Sequence, residues 1–565
     1  MNEDLNLIER AFSDLEQHKK RFLECERAFR AEYGGEDNRT SKRKNSERSR
    51  SKLYVPLIKT TVFIIHAIFK TSFMSDRCPI EITRVGRRSD NDLILQNALT
   101  VVLKNRWKKK EHRVGLSKAV LSALYLPLGI VNLFYDKEQS DIATRFIPIT
   151  DLAFDKYASD INDIEYVCYK WRQSVRQVEE KIKTKFYKGK DKDLILGSKV
   201  EWSQRVQMKD IYKKIYVNGR QMWELKSFAN NFLVRETKFS TLPFHFGYCI
   251  DSMPSVEESM REKENAVYGS CVPEVVKEIQ EEYNIKRNQK IDITENQIDP
   301  SFIVDKTRGA VAVSDVMARK KVIRVETEMG ARVSDVIMPF PVPPTYQLSE
   351  EINMLGKEYE IATGVNSVMT GQTSPSDRRA MGALQTVNAA SSMRIESMMQ
   401  TLLETMLSSY AQHFVELLYR FVSDDEFVKI TEDESVIDVI GTLAQRKANR
   451  LDFDISVNFG TTIANEVKIN QLNGLLGVLA QNQISSPQIT GEIIKEVLTL
   501  ILGENAPIEQ VDEAMAQMSA MQEAAQAQAM GQAQIEQVQA GQEEQAQSEV
   551  SEEEMEMAAL ANGGI

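Results

Sequence analysis

The sequence is poor in the residues that carry covalent and metal chemistry. Its five cysteines, Cys25, Cys78, Cys168, Cys249 and Cys271, are odd in number, widely scattered and never paired as Cys-x-x-Cys. No histidine stands at metal-ligand spacing from any of them. This argues against a structural zinc site and for reduced, buried thiols in an intracellularly assembled protein. The five histidines, His18, His66, His112, His245 and His413, are equally dispersed, and each reads as a surface or satisfied core histidine rather than a catalytic base. No Gly-x-x-x-x-Gly-Lys-Ser/Thr loop, His-Glu-x-x-His, Gly-x-Ser-x-Gly or kinase motif set occurs, so those chemistries have no support. No catalytic residue, metal or cofactor is expected.

Long hydrophobic runs are also missing. The most apolar stretch, Val55 to Phe73, is interrupted by Lys59, His66 and Lys70. It falls short of the roughly 18–20 apolar residues of a membrane span and reads as buried helix, so no membrane partner is expected. The N-terminus is charged and amphipathic, without the apolar core of a signal peptide. Lysine and arginine are missing after Lys495, and fourteen acidic residues stand from Glu496 onward. Taking those from the net charge of −11 (−11 + 14) leaves the first 495 residues at +3. A mildly basic body thus carries a strongly acidic tail, and the split keeps a nucleic-acid partner open where the sum alone would argue against one.

What is present is an ordinary folded composition, 42% hydrophobic and 27% charged over 565 residues, enough for two to four sub-structures. Residues 1–33 read as a helix, with Leu5, Ile8, Phe12, Leu15, Phe22, Leu23 and Phe29 at helical spacing. Gly34-Gly35 breaks it, and seven basic residues follow from Arg39 to Lys52. That run is either a basic arm for phosphates or a solvated loop. Residues 53–135 read as mostly helical, with the basic run "KNRWKKKEHR" (Lys104 to Arg113) as a polar helix face. From Gly129 the pattern turns to short strands, "GIVNLFY", "TRFIPI", "IEYVCYKW", "KIYVNGRQMWELKSF" and "FLVRETKF", with Asn218-Gly219 marking a hairpin turn and "SVRQVEEKIKTKF" a short helix. This α+β region ends near "LPFHFGY".

"CVPEVVKEIQEEYNIKRNQK" (Cys271 to Lys290) reads as an amphipathic helix with Val272, Val275, Val276, Ile279 and Tyr283 on its buried face. Some fifty residues of strand and turn follow, closed by Pro339, Pro341, Pro343 and Pro344. "TYQLSEEINMLGKEYEIATG" is a second helix, with Ser349 as N-cap and Gly364 as the residue past its end. The polar loop "TGQTSPSDRRAMGALQ" comes next. It lacks the lysine and glycine spacing of a phosphate loop. It opens a long helix running to Val422, with Asp377 as a candidate cap and Gly382 as a candidate kink. Strands "EFVKI" and "LDFDISVNFG", two helices broken at Pro487 and a Gln/Ala/Met/Glu-rich tail complete the chain.

Three segments together resemble the portal (head–tail connector) proteins of tailed double-stranded DNA bacteriophages, the short-tailed, podovirus-like type in particular. They are "FIPITDLAFDKYASDINDIEYVCYKWRQSVRQVEEKIKTKF", the run "YGSCVPEVVKEIQEEYNIKRNQ" with its Tyr268, Gly269, Gln280 and Asn284, and "EYEIATGVNSVMTGQTSPSDRRAMGALQTVNAASSMRIESMMQTLLETML". The family often has proline after the Phe-Asp pair, where this chain has Lys156. Order and spacing, from Phe146 to Val422, carry the resemblance more than any single motif.

The resemblance implies a mostly helical α+β portal fold assembled as a ring, usually of twelve subunits. It implies a wing (1–265, with strands at 424–465), a first stem helix (266–290), a β-rich clip (291–344) and a second stem helix (345–363). A tunnel loop (364–378), a long helix (379–423), a helical crown (466–511) and an acidic tail (512–565), barrel-forming or disordered, follow. It further implies DNA-channel contacts at Thr373, Ser374, Ser376, Arg378 and Arg379. Docking of terminase and tail adaptor at the clip would use Lys306, Arg308, Arg319, Lys320, Lys321 and Arg324, and the stem positions would be Gln280, Asn284, Lys286 and Arg287. Partners would be the other subunits, passing double-stranded DNA, terminase large subunit, tail adaptor or head-completion protein, and major capsid and scaffolding proteins. The location would be the virion's portal vertex, after assembly in the host cytoplasm. Arg378 and Arg379 either face DNA or sit at a helix start beside Asp377. Two rival readings stand beside this one: a metal-dependent nuclease using the Asp151–Glu165 carboxylates, and a DNA-free minor capsid or scaffolding protein.

Overall fold

The structure is a computed structural model. It describes residues 2–32, 51–74, 78–84, 90–136, 140–158, 160–188, 204–251, 267–298, 300, 302–305, 307, 309–311, 325–327, 329–330, 332–365, 393–432, 436–441, 443–448, 453–457, 493–495 and 497. The chain divides into two compact units, Met1–Phe459 and Gly460–Ile565. Every element named below belongs to the first. In the second, where the crown and tail were expected, only 493–495 and 497 are described, and these are helical.

Helix α1 (Asn2–Arg30) buries Ile8, Ala11, Leu15, Phe22 and Cys25, a stripe spaced by three, four or seven residues, against the sheets that follow. Helix α2 (Leu57–Phe73) is the apolar run itself and turns Ile58, Val62, Ile65, Phe69 and Phe73 inward. Among the described residues no helix is long and apolar enough to cross a membrane. Helices α3 (Asp90–Trp107) and α4 (Lys110–Tyr125) share this core, where Trp107 meets Phe73 and Phe414 edge-on. Between α2 and α3 lies a strand, β1 (Ile80–Arg84), where the sequence reads as mostly helical. Its partner is β14 (Phe453–Val457), over 360 residues away, so no local pattern could announce it.

The basic run at the α3–α4 junction is only partly a solvent face. Lys108 and Lys110 are exposed, but Arg106 turns inward to Asp141 (2.7 Å) and Glu426.

Strands β2 (Gly129–Asp136), β3 (Asp141–Ile147) and β9 (Phe244–Gly247) form a three-stranded sheet in the order β3-β2-β9. Strands β4 (Leu152–Phe154), β5 (Tyr166–Ser174), β6 (Arg205–Val217), β7 (Arg220–Ala229) and β8 (Phe232–Phe239) make a five-stranded antiparallel meander in sequence order. Asn218 and Gly219 both have positive φ (52° and 75°), as a two-residue hairpin turn requires. Ser174 caps α5 (Val175–Lys183) by accepting from the Gln177 N–H. The first turns of α1 lie over the sheet through charge pairs. Asp4 meets Lys213 and Lys226, and Glu9 meets Lys209 and Lys170. Burial alone would raise the Asp4 carboxyl, but hydrogen bonds from the two lysines hold it below its ordinary range.

Past the sheets the chain returns to helix. Helix α6 (Val272–Ile298) continues eight residues beyond Lys290, where the sequence reads it as closing. Short strands β10 (Phe302–Val304), β11 (Gly309–Val311), β12 (Val325–Thr327) and β13 (Ile337–Pro339) follow. They pair as two separate ribbons, β10-β13 and β11-β12.

Helix α7 (Tyr346–Thr363) starts after Thr345, and Ser349 is inside it, its hydroxyl donating back to the Thr345 carbonyl (3.0 Å). Gly364 ends it with φ 73°, a left-handed turn that glycine adopts without steric cost. The long helix is described from 393 onward, through a π-turn at Leu403–Leu407 into α8 (Ser408–Phe421). Its expected start, with Asp377 and Gly382, lies outside the described residues.

The segment "EFVKI" is not a strand but part of helix α9 (Asp424–Thr431). Ser423 caps it, and Asp424, Asp425 and Glu426 fill its first turn, a set that favours helix whatever the β-propensity of Phe427, Val428 and Ile430. Short helices α10 (Val436–Ile440) and α11 (Leu443–Ala448) close the core beneath α8.

Candidate functional site

The best-defined polar site among the described residues is the root and flank of α6. Its N-terminus is anchored by the Tyr268-Gly269 pair. Tyr268 is buried against Phe22 and Phe154. A Cβ on Gly269 would fall 2.3 Å from the Tyr248 ring, so only glycine allows this approach. The Gly269 carbonyl accepts from Arg21 (2.7 Å), and the same guanidinium grips both oxygens of Glu274 (2.5 and 2.9 Å). Ser270 adds a third bond to that carboxylate. Burial would raise the Glu274 pKa, but Arg21 holds it low. Cys25 and Cys271 lie 3.6 Å apart beside Glu274. This is a knot of three metal-capable groups, invisible at their sequence spacing, whose carboxylate is already engaged by Arg21.

Along α6 the expected apolar face holds at Val272, Val276 and Ile279, which meet the core, and an amide ladder continues the buried side beyond them. Val275 is 48% exposed, whereas Gln280, Asn284 and Asn288 are buried. Gln280 accepts from the Ile58 N–H (3.0 Å) and donates to the Val55 carbonyl (2.6 Å). Asn284 accepts from the Val55 N–H (2.8 Å), and Asn288 both accepts from and donates to Leu53 (2.8 and 2.9 Å). Asp292 accepts from the Ser51 N–H (2.8 Å).

The geometry follows from two repeats. Four helical residues rise about 6 Å, and two extended residues advance about 6.6 Å. Asn284, Asn288 and Asp292, at i, i+4 and i+8, therefore meet alternate residues of a straight segment, Val55, Leu53 and Ser51, while Gln280 joins the Val55 carbonyl to the Ile58 N–H in the first turn of α2. The ladder meets main-chain atoms of Ser51, Leu53, Val55 and Ile58, which run antiparallel to α6. Asn288 makes two of these bonds and Asn284 one. Asn288→Ala should therefore cost about 2 kcal/mol and Asn284→Ala about 1, read from urea unfolding; the reverse order would contradict the ladder.

Helix α7 runs antiparallel to α6. Lys286 pairs with Glu351 (2.8 Å), which raises the lysine pKa through that hydrogen bond. Gln297 donates to the Pro343 carbonyl (3.2 Å). Arg287 is half-buried and makes no ion pair among the described residues. Where α6 begins and α7 ends, an open pocket of about 380 Å³ is lined by Val272, Val275, Thr363, Arg394, Ser397 and Thr401. The loop positions Thr373, Ser374, Ser376, Arg378 and Arg379 lie outside the described residues, as do Lys306, Arg308, Arg319, Lys320, Lys321 and Arg324.

The Asp151–Glu165 carboxylates are largely occupied with turns. Asp155 accepts from the Tyr157 N–H (3.1 Å), and Asp160 from the Ile161 N–H (2.6 Å). Asp151 is held by Thr150, and burial raises its pKa. The histidines are not all apart. His245 and His413 hydrogen-bond at 3.0 Å inside the core, which sequence spacing could not show.

Among curated proteins nothing matches the chain. A model of the phage SU10 portal protein family matches residues 248–547, which is 300 of 565 residues and spans α6, the β ribbons, α7 and the long helix. The chain belongs to that portal protein family.

Proposed function

We propose that the protein assembles as a ring at one capsid vertex and forms, without catalysis, the channel through which double-stranded DNA enters during packaging and leaves during ejection. The observation behind this reading is the arrangement of α6 and α7 in a chain of the portal family. Two antiparallel helices are joined at one end by β ribbons, and the second is followed in the chain by a long helix described from residue 393. One repeated contact of this kind closes into a ring if its rotation allows. In this reading α6 and α7 are the stem, the ribbons are the clip that docks terminase and then the tail adaptor, and residues 1–265 with β14 are the wing. Capsid and scaffolding proteins would meet the ring at its rim.

A channel for sliding DNA should bind phosphates without reading bases. Arg378 and Arg379, repeated around the axis, are the residues for that contact, and the acidic tail keeps DNA from being trapped. Negative-stain images of the purified chain should show rings with a central hole; monomers or filaments would overturn the proposal. The nuclease alternative is tested by Mg²⁺-dependent DNA cleavage, expected to be absent. Cleavage that disappears in Asp155→Ala would replace the conduit reading.

A further inference from the structure

Among the described residues one group of three metal-capable side chains comes together, Cys25, Cys271 and Glu274. Cys25 stands near the end of α1, and Cys271 and Glu274 stand at the start of α6. The two cysteines are 246 residues apart in sequence, beyond any ligand motif, and both are buried.

Their spacing fits a tetrahedral ion. Zinc holds thiolate sulfur at about 2.3 Å and carboxylate oxygen at about 2.0–2.2 Å. Two sulfurs on one such ion therefore lie about 3.8 Å apart, and a sulfur and an oxygen about 3.5 Å. Here the Cys25 sulfur lies 3.6 Å from that of Cys271 and 3.8 Å from Oε1 of Glu274. The third pair, Cys271 and Glu274, is within 4.8 Å.

The carboxylate has room for a further partner. It offers about four lone-pair sites. Arg21 Nε takes one on Oε1 (2.5 Å), while Arg21 Nη2 and Ser270 Oγ take two on Oε2 (2.9 Å each). The site left over is on Oε1, the oxygen that the Cys25 sulfur approaches. Arg21 and Ser270 thus orient the carboxylate without filling it, as partners of a metal ligand do.

Charge selects the class of ion. With both thiols protonated, the Glu274 carboxylate and the Arg21 guanidinium cancel. A zinc ion brings two positive charges, and the two S–H protons it displaces to solvent carry two away, so the buried cluster stays neutral. Magnesium or calcium prefers oxygen ligands and would leave the thiols protonated and two charges uncompensated.

We propose that Cys25, Cys271 and Glu274 bind one zinc ion through two Zn–S bonds and one Zn–O bond, tying the end of α1 to the root of α6. A water molecule takes the fourth position. The ion enters past Arg21 and Glu274, whose side chains are 33% and 19% exposed. The site does not depend on the channel reading.

The test is a metal measurement on the reduced full chain, dialysed against zinc and then against buffer. Mass spectrometry of the metal should find about one zinc ion per chain, and cobalt put in its place should give a thiolate-to-cobalt absorption band. Cys25→Ser and Cys271→Ser should each lose the ion, and Cys78→Ser should keep it. Less than about a tenth of an ion per wild-type chain, or an unchanged content in both the Cys25 and Cys271 variants, overturns the proposal. If those variants fail to fold, alkylation of the wild-type chain decides. Zinc should slow the reaction of Cys25 and Cys271 about tenfold or more and leave Cys78 unchanged; equal rates with and without zinc overturn the site.

Discussion

Lowering the pH from 7 to 5 is expected to remove about 4 kcal/mol of stability from the body of the protein. Three histidines are buried as neutral rings. His112 is pushed down to about 4 by burial, with Asp141 opposing and Lys109 and Arg106 assisting. His413 is pushed down to about 3 by burial and then by Arg420, and His245 lies well below its ordinary value through burial and His413.

Their hydrogen bonds fix the neutral tautomers. Ser409 donates its only hydroxyl proton to the Met406 carbonyl (2.9 Å), so its oxygen accepts from Nδ1–H of His245 (3.0 Å). Nε2 of His245 then accepts from Nδ1–H of His413. His112 bonds Thr144, which in turn bonds the Tyr410 hydroxyl, both at 2.8 Å.

Each folded pKa is below the unfolded value near 6.5, so the unfolded chain binds more protons below that pH. The stability is complete above about 6.5 and falls by about 1.4 kcal/mol per pH unit per histidine as pH drops toward the folded values. Asp210 works the other way. Burial raises it to about 6, so it returns about 1 kcal/mol by pH 5. Urea unfolding at pH 7, 6 and 5 measures the sum, and His413→Asn should lower the slope by one proton. A midpoint that stays flat over this range would sink the assignment of three buried neutral rings.

Arg446→Met is expected to cost about 3–4 kcal/mol. The residue is 1% exposed. Its Nη1 donates to the carbonyls of Tyr419 (3.1 Å) and Val422 (3.0 Å), which close α8, and its Nη2 pairs with Asp424 at the start of α9. The guanidinium also lies over Phe427 at 4.8 Å. Methionine leaves two buried carbonyls without their donor and a partly exposed Asp424 carboxylate without its partner, and the unsatisfied carbonyls carry most of the loss. Arg446→Lys should recover less than half of the loss, because one ammonium cannot reproduce the fork. Thermal and urea unfolding of both variants would measure this. A lysine variant within 0.5 kcal/mol of the wild type would contradict the role of the planar fork.

The strands of the five-stranded sheet, the hairpin at Asn218-Gly219 and the Ser174 cap were legible because period-2 alternation, turn chemistry and capping act within a few residues. Gly364 was legible for the same reason. "EFVKI" misled because β-branched residues suggested a strand while Ser423 and three acids fixed a helix. Strand β1 was hidden because its partner is distant. The buried face of α6 was legible only in its first turns, at Val272 and Val276. Gln280, Asn284 and Asn288 take their partners from residues 51–55 and the first turn of α2, more than 200 residues away, so no local pattern marks them as buried.

The sequence by itself determined the long helices, the meander and the division of charge between a basic body and an acidic tail. It also held, in the order of its segments, the resemblance to portal proteins. Only the tertiary structure decided which polar residues are internal. A hydrogen bond between side chain and backbone depends on what the fold brings within 3 Å, not on spacing along the chain. Thus Arg106 and Arg446 became core residues, His245 met His413, and Arg21 met Glu274. The amides of α6, read from the sequence as stem positions, became the ladder that binds residues 51–58 to the helix.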